Sequence, residues 1–127
     1  MDCYETLMAE YDYLDICEQK MKKHEGLYGD DTIWINKDIP TTTRKTAILA
    51  EEIGHHENNV GDITDQTKIE NQKEEYKARK WASNKLIPDE AIKDAITRGY
   101  REVYEIADYL GVDEEFLREC LERYHTV

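Results

Sequence analysis

No stretch of this chain approaches the roughly 18 consecutive apolar residues that a membrane span requires, so no transmembrane segment is expected. The opening residues, Met1-Asp2-Cys3-Tyr4-Glu5, are acidic and lack the apolar segment of a secretory leader, which argues against export. Cysteine is sparse. Cys3, Cys17 and Cys120 are odd in number and scattered, which suits reduced thiols in the cytoplasm better than a disulfide framework. No C-x-x-C pair offers a structural zinc site. Cations are in short supply as well: 17 lysines and arginines face 29 carboxylates, for a net charge of −12. A phosphate backbone is gripped by a basic footprint, so direct nucleic-acid binding is disfavoured. The chain has no internal repeat and no low-complexity segment.

What is present is 127 residues with 36% charged side chains, enough for a single domain (1–127) with one modest core. The acidity is concentrated at the ends. Residues 1–40 carry 4 basic and 10 acidic side chains, residues 41–99 carry 10 and 11, and residues 100–127 carry 3 and 8. Such ends keep the protein soluble and suit a basic protein partner, because complementary fields steer encounter.

Apolar spacing predicts a first helix from Tyr4 to Lys23, with Leu7, Tyr11 and Leu14 on one side and the cations of Lys20-Met21-Lys22-Lys23 at its C-terminal end. Two short apolar runs then flank Gly29-Asp30-Asp31, and the second, Thr32 to Ile35, is β-branched and aromatic. This predicts a β-hairpin over Gly26–Asn36. An isolated hairpin is marginal, so it should pack on the helices, with a further short strand before it. Thr41 or Thr42 can cap a helix of about Thr43–Glu57. A loop from Gly61 to about Gln66 leads to a helix of about Thr67–Leu86. Pro88 with Asp89 and Glu90 marks a new start, and short helices are expected near 89–98, 100–110 and 113–124, punctuated by Gly99 and Gly111.

The helix of about Thr43–Glu57 carries the most informative segment, Ala50-Glu51-Glu52-Ile53-Gly54-His55-His56. That segment has the form of the zinc-protease helix H-E-x-x-H with Glu51 in the first ligand position. Positions 51 and 55 project from one face, one turn apart. An imidazole and a carboxylate are both acceptable zinc ligands. Glu52 then flanks the open coordination position and can serve as general base to a water that the ion has activated. A third ligand must come from elsewhere. Glu75 is the first choice, because Glu75, Ala78 and Ala82 share a helix face whose small residues permit close approach. Glu74 is the fallback, with Asp62 or Asp65 in the loop behind it. Against all this stands a plainer account, in which Glu51 and His55 are only an i, i+4 surface pair.

These segments together resemble the ImmA/IrrE family of metallopeptidases. The family pattern L-A-H-E-x-G-H, then E-x-x-A-x-x-F-A, then L-x-P is met by Leu49-Ala50-Glu51-Glu52-Ile53-Gly54-His55, by Glu75-x-x-Ala78-x-x-Trp81-Ala82 and by Leu86-Ile87-Pro88. The resemblance is strongest over residues 25–90. It implies an α+β fold, mostly helical and zincin-like, with a small β-hairpin or sheet. A core over 1–98 would be followed by a C-terminal helical hairpin over 99–127. It implies Glu52 as catalytic base and Glu51, His55 and Glu75 as metal ligands, with Zn²⁺ as cofactor. Glu51 departs from the family's histidine, although short prophage-encoded relatives resemble the Glu-Glu-x-Gly-His-His form and the Val60-Gly61-Asp62-Ile63 segment. A Glu–His–Glu set is harder than His–His–Glu and favours Mn²⁺ or Fe²⁺ relative to zinc. The implied function is a cytoplasmic regulatory peptidase of a prophage or mobile element acting on a DNA-binding repressor. The rival is a peptidase fold that has lost its chemistry and regulates a repressor by contact.

Of the remaining residues, His56 points about 100° away from His55 around the helix and is expected to line the cleft or meet solvent. His24 and His125 are expected at the surface, and Trp34 and Trp81 in the core. Residues 103–117 resemble a helix-turn-helix, but Asp113, Glu114, Glu115, Glu119 and Glu122 populate the second helix and oppose phosphate. A hairpin for packing or protein contact is expected instead.

Overall fold

The computed structural model describes residues 3–58 and 68–123, with backbone alone for 68–71. In chain order the elements are α1 (Cys3–Glu10), β1 (Asp15–Gln19), β2 (Gly26–Gly29), β3 (Thr32–Asn36), α2 (Thr42–Asn58), α3 (Lys68–Leu86), α4 (Asp89–Thr97), α5 (Val103–Leu110) and α6 (Glu114–Arg123). The fold is thus α+β and mostly helical, as expected.

The first helix is shorter than its apolar spacing predicts. It stops at Glu10, and Asp15–Gln19 forms a strand rather than further helix. Beyond Leu14 the helical stripe has only Ile16 to sustain it before Met21, while bulky Tyr11 and Tyr13 flank Asp12, a weak helix-forming set. Pairing with β3 decides the outcome, since tertiary context overrides weak propensity. Lys20 to Lys23 consequently lie in the β1–β2 connection and cap no helix. The strand anticipated ahead of the hairpin is therefore present, cut from the segment assigned to the helix.

The sheet order is β1-β3-β2. The β1–β3 pair is parallel and the β2–β3 pair antiparallel, with Cys17 and Leu27 both opposite Trp34. Asp30 and Asp31 form the two-residue turn at φ 51° and 58°, the doubly left-handed geometry whose twist suits a tight hairpin and which aspartate tolerates better than most residues. Alternation along β3 buries Ile33 and Ile35 completely against the helices, while Trp34 sits half-buried on the opposite face, outside the main apolar cluster. Trp81 packs against that cluster, edge-on to Tyr11 at 6.1 Å.

Helix α2 runs through the middle. The Thr41 hydroxyl caps it by accepting the Arg44 N–H at 3.2 Å. Residues 46–50 and 52–54 are all buried, because the sheet, α1 and α3 surround the helix. The hydrophobic cluster extends through α4, α5 and α6 by way of Ile92, Ile106, Phe116 and Leu117. Asp113 caps α6 by accepting the Phe116 N–H at 2.9 Å, and Gly111 ends α5 in the left-handed conformation at φ 70°. None of the described helices is long and apolar enough to cross a membrane.

Candidate functional site

The chemistry-bearing residues of the two long helices meet because nothing stands between their backbones. Gly54 faces Ala78, and a Cβ at position 54 would strike the Ala78 carbonyl oxygen while lying 3.0 Å from the Ala78 Cα. Ala78 and Ala82 are fully buried along the seam. The small-residue face anticipated on α3 is therefore the surface on which α2 rests. That contact sets His55 Nε2 3.1 Å from Glu75 Oε1.

The four residues singled out from the sequence differ in how they are held. Burial draws the His55 imidazole down, but the hydrogen bond to Glu75 and the charges of Glu75, Glu52 and Glu51 outweigh it, leaving the ring more basic than usual. The same hydrogen bond holds Glu75 below the ordinary carboxylate range. Glu52 is 9% exposed. Burial pushes its carboxyl up to about 7, against the pull of His55. Glu51 is likewise pushed up to about 7 by burial, with Arg79 and Arg44 opposing the shift. Glu74, the fallback ligand, approaches Lys77 at 3.9 Å instead. Asp62, Asp65 and the Val60–Ile63 segment lie outside the described residues.

Two contributors were not foreseen. Gly26 opens β2 directly over Glu52, where an added Cβ would lie 3.2 Å from Glu52 Oε2 and 2.5 Å from Ile48 Cγ2. Only a residue without a side chain lets the strand pass this close to Glu52. The second is Arg79. Its guanidinium lies 3.9 Å from Glu75 and 3.5 Å from Glu119 of α6, and it is the strongest of the charges acting on Glu51. A sequence signal existed, since Arg79 stands four residues after Glu75, the spacing of a helical ion pair. His56 turns from this cluster toward the hairpin, its Nδ1 2.9 Å from the Tyr28 hydroxyl and 3.6 Å from Asp31.

The described geometry is thus two helices in backbone contact, a histidine–glutamate pair across their seam, and a buried glutamate beside it under a strand. A model of the IrrE N-terminal-like domain, the M78 peptidase family, matches residues 9–122. The chain belongs to this family. No curated protein matches it. Membership establishes a peptidase-type fold in a family that is generally zinc-dependent.

In this M78 member the residue types at these positions, an imidazole and carboxylates, are ones that a divalent ion accepts. His55 and Glu75 already face each other. Among the described residues, no three His, Cys, Asp or Glu side chains converge on one point. Glu51, expected from the sequence as a ligand, feels the charge of Arg79 more strongly than any other.

The buried carboxylates give the metal-free protein a defined pH dependence. Glu51 and Glu52 titrate near 7 when folded against an ordinary value of 4.5. Between those values the folded chain binds protons that the unfolded chain does not, so stability rises as pH falls through 7. His55, raised in the fold, acts in the same direction. Glu75, held low, contributes stability above its unfolded value and loses it only in more acid solution. Urea melts of metal-free protein are expected to show a gain on the order of 3 kcal/mol from about pH 8 to about pH 5.5. Stability that is flat, or that increases with pH across this window, contradicts burial of the two groups.

Proposed function

We propose that this chain is a metal-dependent regulatory peptidase of a prophage or mobile element. It would act in the cytoplasm on a polypeptide substrate, a DNA-binding repressor. The observation that carries the reading is the 3.1 Å approach of His55 to Glu75, which unites two motifs 20 residues apart beside a buried glutamate. His55, Glu75 and Glu51 would hold Zn²⁺, or Mn²⁺ given the oxygen-rich set. When bound, the ion supplies Lewis acidity that brings water's pKa down to about 7 and polarises a carbonyl.

The chain's own residues supply the proton chemistry. Glu52 titrates near neutrality because it is buried, so it can take a proton from the attacking water and return it to the departing amine nitrogen at physiological pH. Gly26 keeps β2 close above it, excluding bulk water from one side. Purified protein supplied with Zn²⁺ or Mn²⁺ is expected to cleave a DNA-binding repressor of the same mobile element. Activity that survives removal of the metal by chelator contradicts the reading.

A second reading is favoured by one observation, the guanidinium of Arg79, which lies 3.9 Å from Glu75 and is the foremost charge acting on Glu51. A resident cation can balance these carboxylates without any metal. The fold would then serve as a binding module that restrains the repressor by contact. The two readings share a consequence: Arg79 competes with a divalent ion for the same carboxylates. Arg79→Gln is accordingly expected to raise divalent-metal affinity, by roughly tenfold for about 1.4 kcal/mol of relieved repulsion, as measured by calorimetric titration. Unchanged or weakened affinity contradicts competition by Arg79.

A further inference from the structure

The C-terminal hairpin contains a second feature that the peptidase chemistry does not use. Tyr100, Tyr104, Glu105, Asp108 and Tyr109 line an open hollow of about 390 Å³ on the exposed side of α5. A neighbouring hollow of about 250 Å³ shares Tyr104 and Asp108 and continues to Gly111 and Glu114. The result is a groove along one face of the helix, walled by tyrosine rings and carboxylates, with no lysine or arginine in its lining.

Its walls are held in place. Tyr100 and Tyr109 stack at 4.8 Å, and the Tyr109 hydroxyl donates to Asp94 at 2.7 Å. Glu105 is fixed by the capping box, accepting the Glu102 N–H at 3.2 Å. Two members are poised differently. Tyr104 is 62% exposed although it is a large aromatic. Asp108, one turn further along α5, is exposed and has no cationic partner among the described residues. The same wall already accommodates a guanidinium, since Arg98 lies 5.6 Å from the Tyr109 centroid. Residues 100–127 carry 8 acidic against 3 basic side chains, so the surrounding field attracts cations and repels phosphate.

We infer that the Tyr104–Asp108 groove on α5 is a docking site for a basic polypeptide segment, with an arginine side chain of the partner laid against Tyr104 and paired with Asp108. Arginine fits better than lysine, because its planar guanidinium stacks on an aromatic face while its fork engages a carboxylate. A helix pair with the outline of a DNA-reading motif but an acidic, tyrosine-lined surface thereby becomes a receptor for a basic chain. The site is separate from Glu52, His55 and Glu75 and needs no metal.

The test uses the full chain and a fluorescein-labelled arginine–glycine repeat peptide, read by fluorescence anisotropy, with ¹⁵N-labelled protein to locate the contact. Amide shifts are expected to concentrate on α5 and its flanks. Tyr104→Ala and Asp108→Asn are each expected to weaken binding about tenfold. Glu90→Gln, an equal charge change at an exposed position of α4, should leave it unchanged, and so should Glu52→Gln. The inference is overturned by a peptide that does not bind, by a Tyr104→Ala variant that binds like the parent, or by equal weakening in Asp108→Asn and Glu90→Gln with shifts spread over the acidic surface. None of these outcomes bears on metal binding, so the docking site and the peptidase reading stand or fall separately.

Discussion

Gly54→Ala is expected to destabilise the protein by about 2–3 kcal/mol, although glycine to alanine in a helix interior ordinarily gains about 1 kcal/mol. The inversion follows from where position 54 lies. A methyl group there meets the backbone of Ala78, its carbonyl oxygen above all, rather than the mobile end of a side chain. Backbone cannot swing aside as a rotamer can, so α2 and α3 must separate along the seam that also buries Ala78 and Ala82. Close-packed interiors relax only partly after such an intrusion. Separation also pulls His55 from Glu75, whose approach is 3.1 Å, so metal affinity should fall together with stability. Denaturant unfolding of the parent and the variant measures the effect. A neutral or stabilising result would show that the helices are not in backbone contact.

Glu52→Gln is expected to lower repressor cleavage by about 10³-fold, within the range for removing a general base. It should leave metal affinity within a few-fold of the parent, because Glu52 is not among the proposed donors. The isosteric amide keeps the shape of the space beneath Gly26. It also removes a carboxyl that burial pushes up to about 7, so the metal-free variant should be more stable than the parent near pH 8 and lose part of the parent's pH dependence. This combination separates a base from a structural residue, since a structural role would lower stability and activity together. Cleavage at the parent's rate contradicts the proton-transfer role.

Much of this arrangement is legible in the chain because it depends on local spacing. One helical turn separates Glu51 from His55, and the alanines at 78 and 82 mark a close-packing face. Turn-forming aspartates with a β-branched run reveal the hairpin, and Pro88 announces α4. The features that escape such inspection depend on partners distant in sequence. β1 is a strand because β3 is available to pair with it, register by register, 17 residues later. The imidazole of His56 is oriented by Tyr28, 28 residues earlier. Gly26 looks like a simple pattern break until the structure places Glu52 beneath it. Trp34 follows the alternation of its strand onto the outer face, so its apolar character alone misassigns it to the core. Arg79 had a visible i, i+4 partner in Glu75, but its relation to Glu51 and Glu119 requires α2, α3 and α6 to converge.

The substitution at position 51 is where the two functional readings part. If Glu51 is a ligand, its carboxylate exchanges the field of Arg79 for a divalent ion. If it is not, it stays in the field of Arg79 with no ion to replace it. The direct measurement is calorimetric titration of chelator-treated parent, Glu51→Ala and Glu51→His with Zn²⁺ and Mn²⁺, with repressor cleavage assayed on the same samples. The peptidase account predicts stoichiometric binding and cleavage by the parent, with affinity and cleavage both falling at least about tenfold in Glu51→Ala. A parent that takes up neither metal and cuts nothing, beside a Glu51→His variant that binds zinc, would contradict it and leave the binding module as the function of this fold.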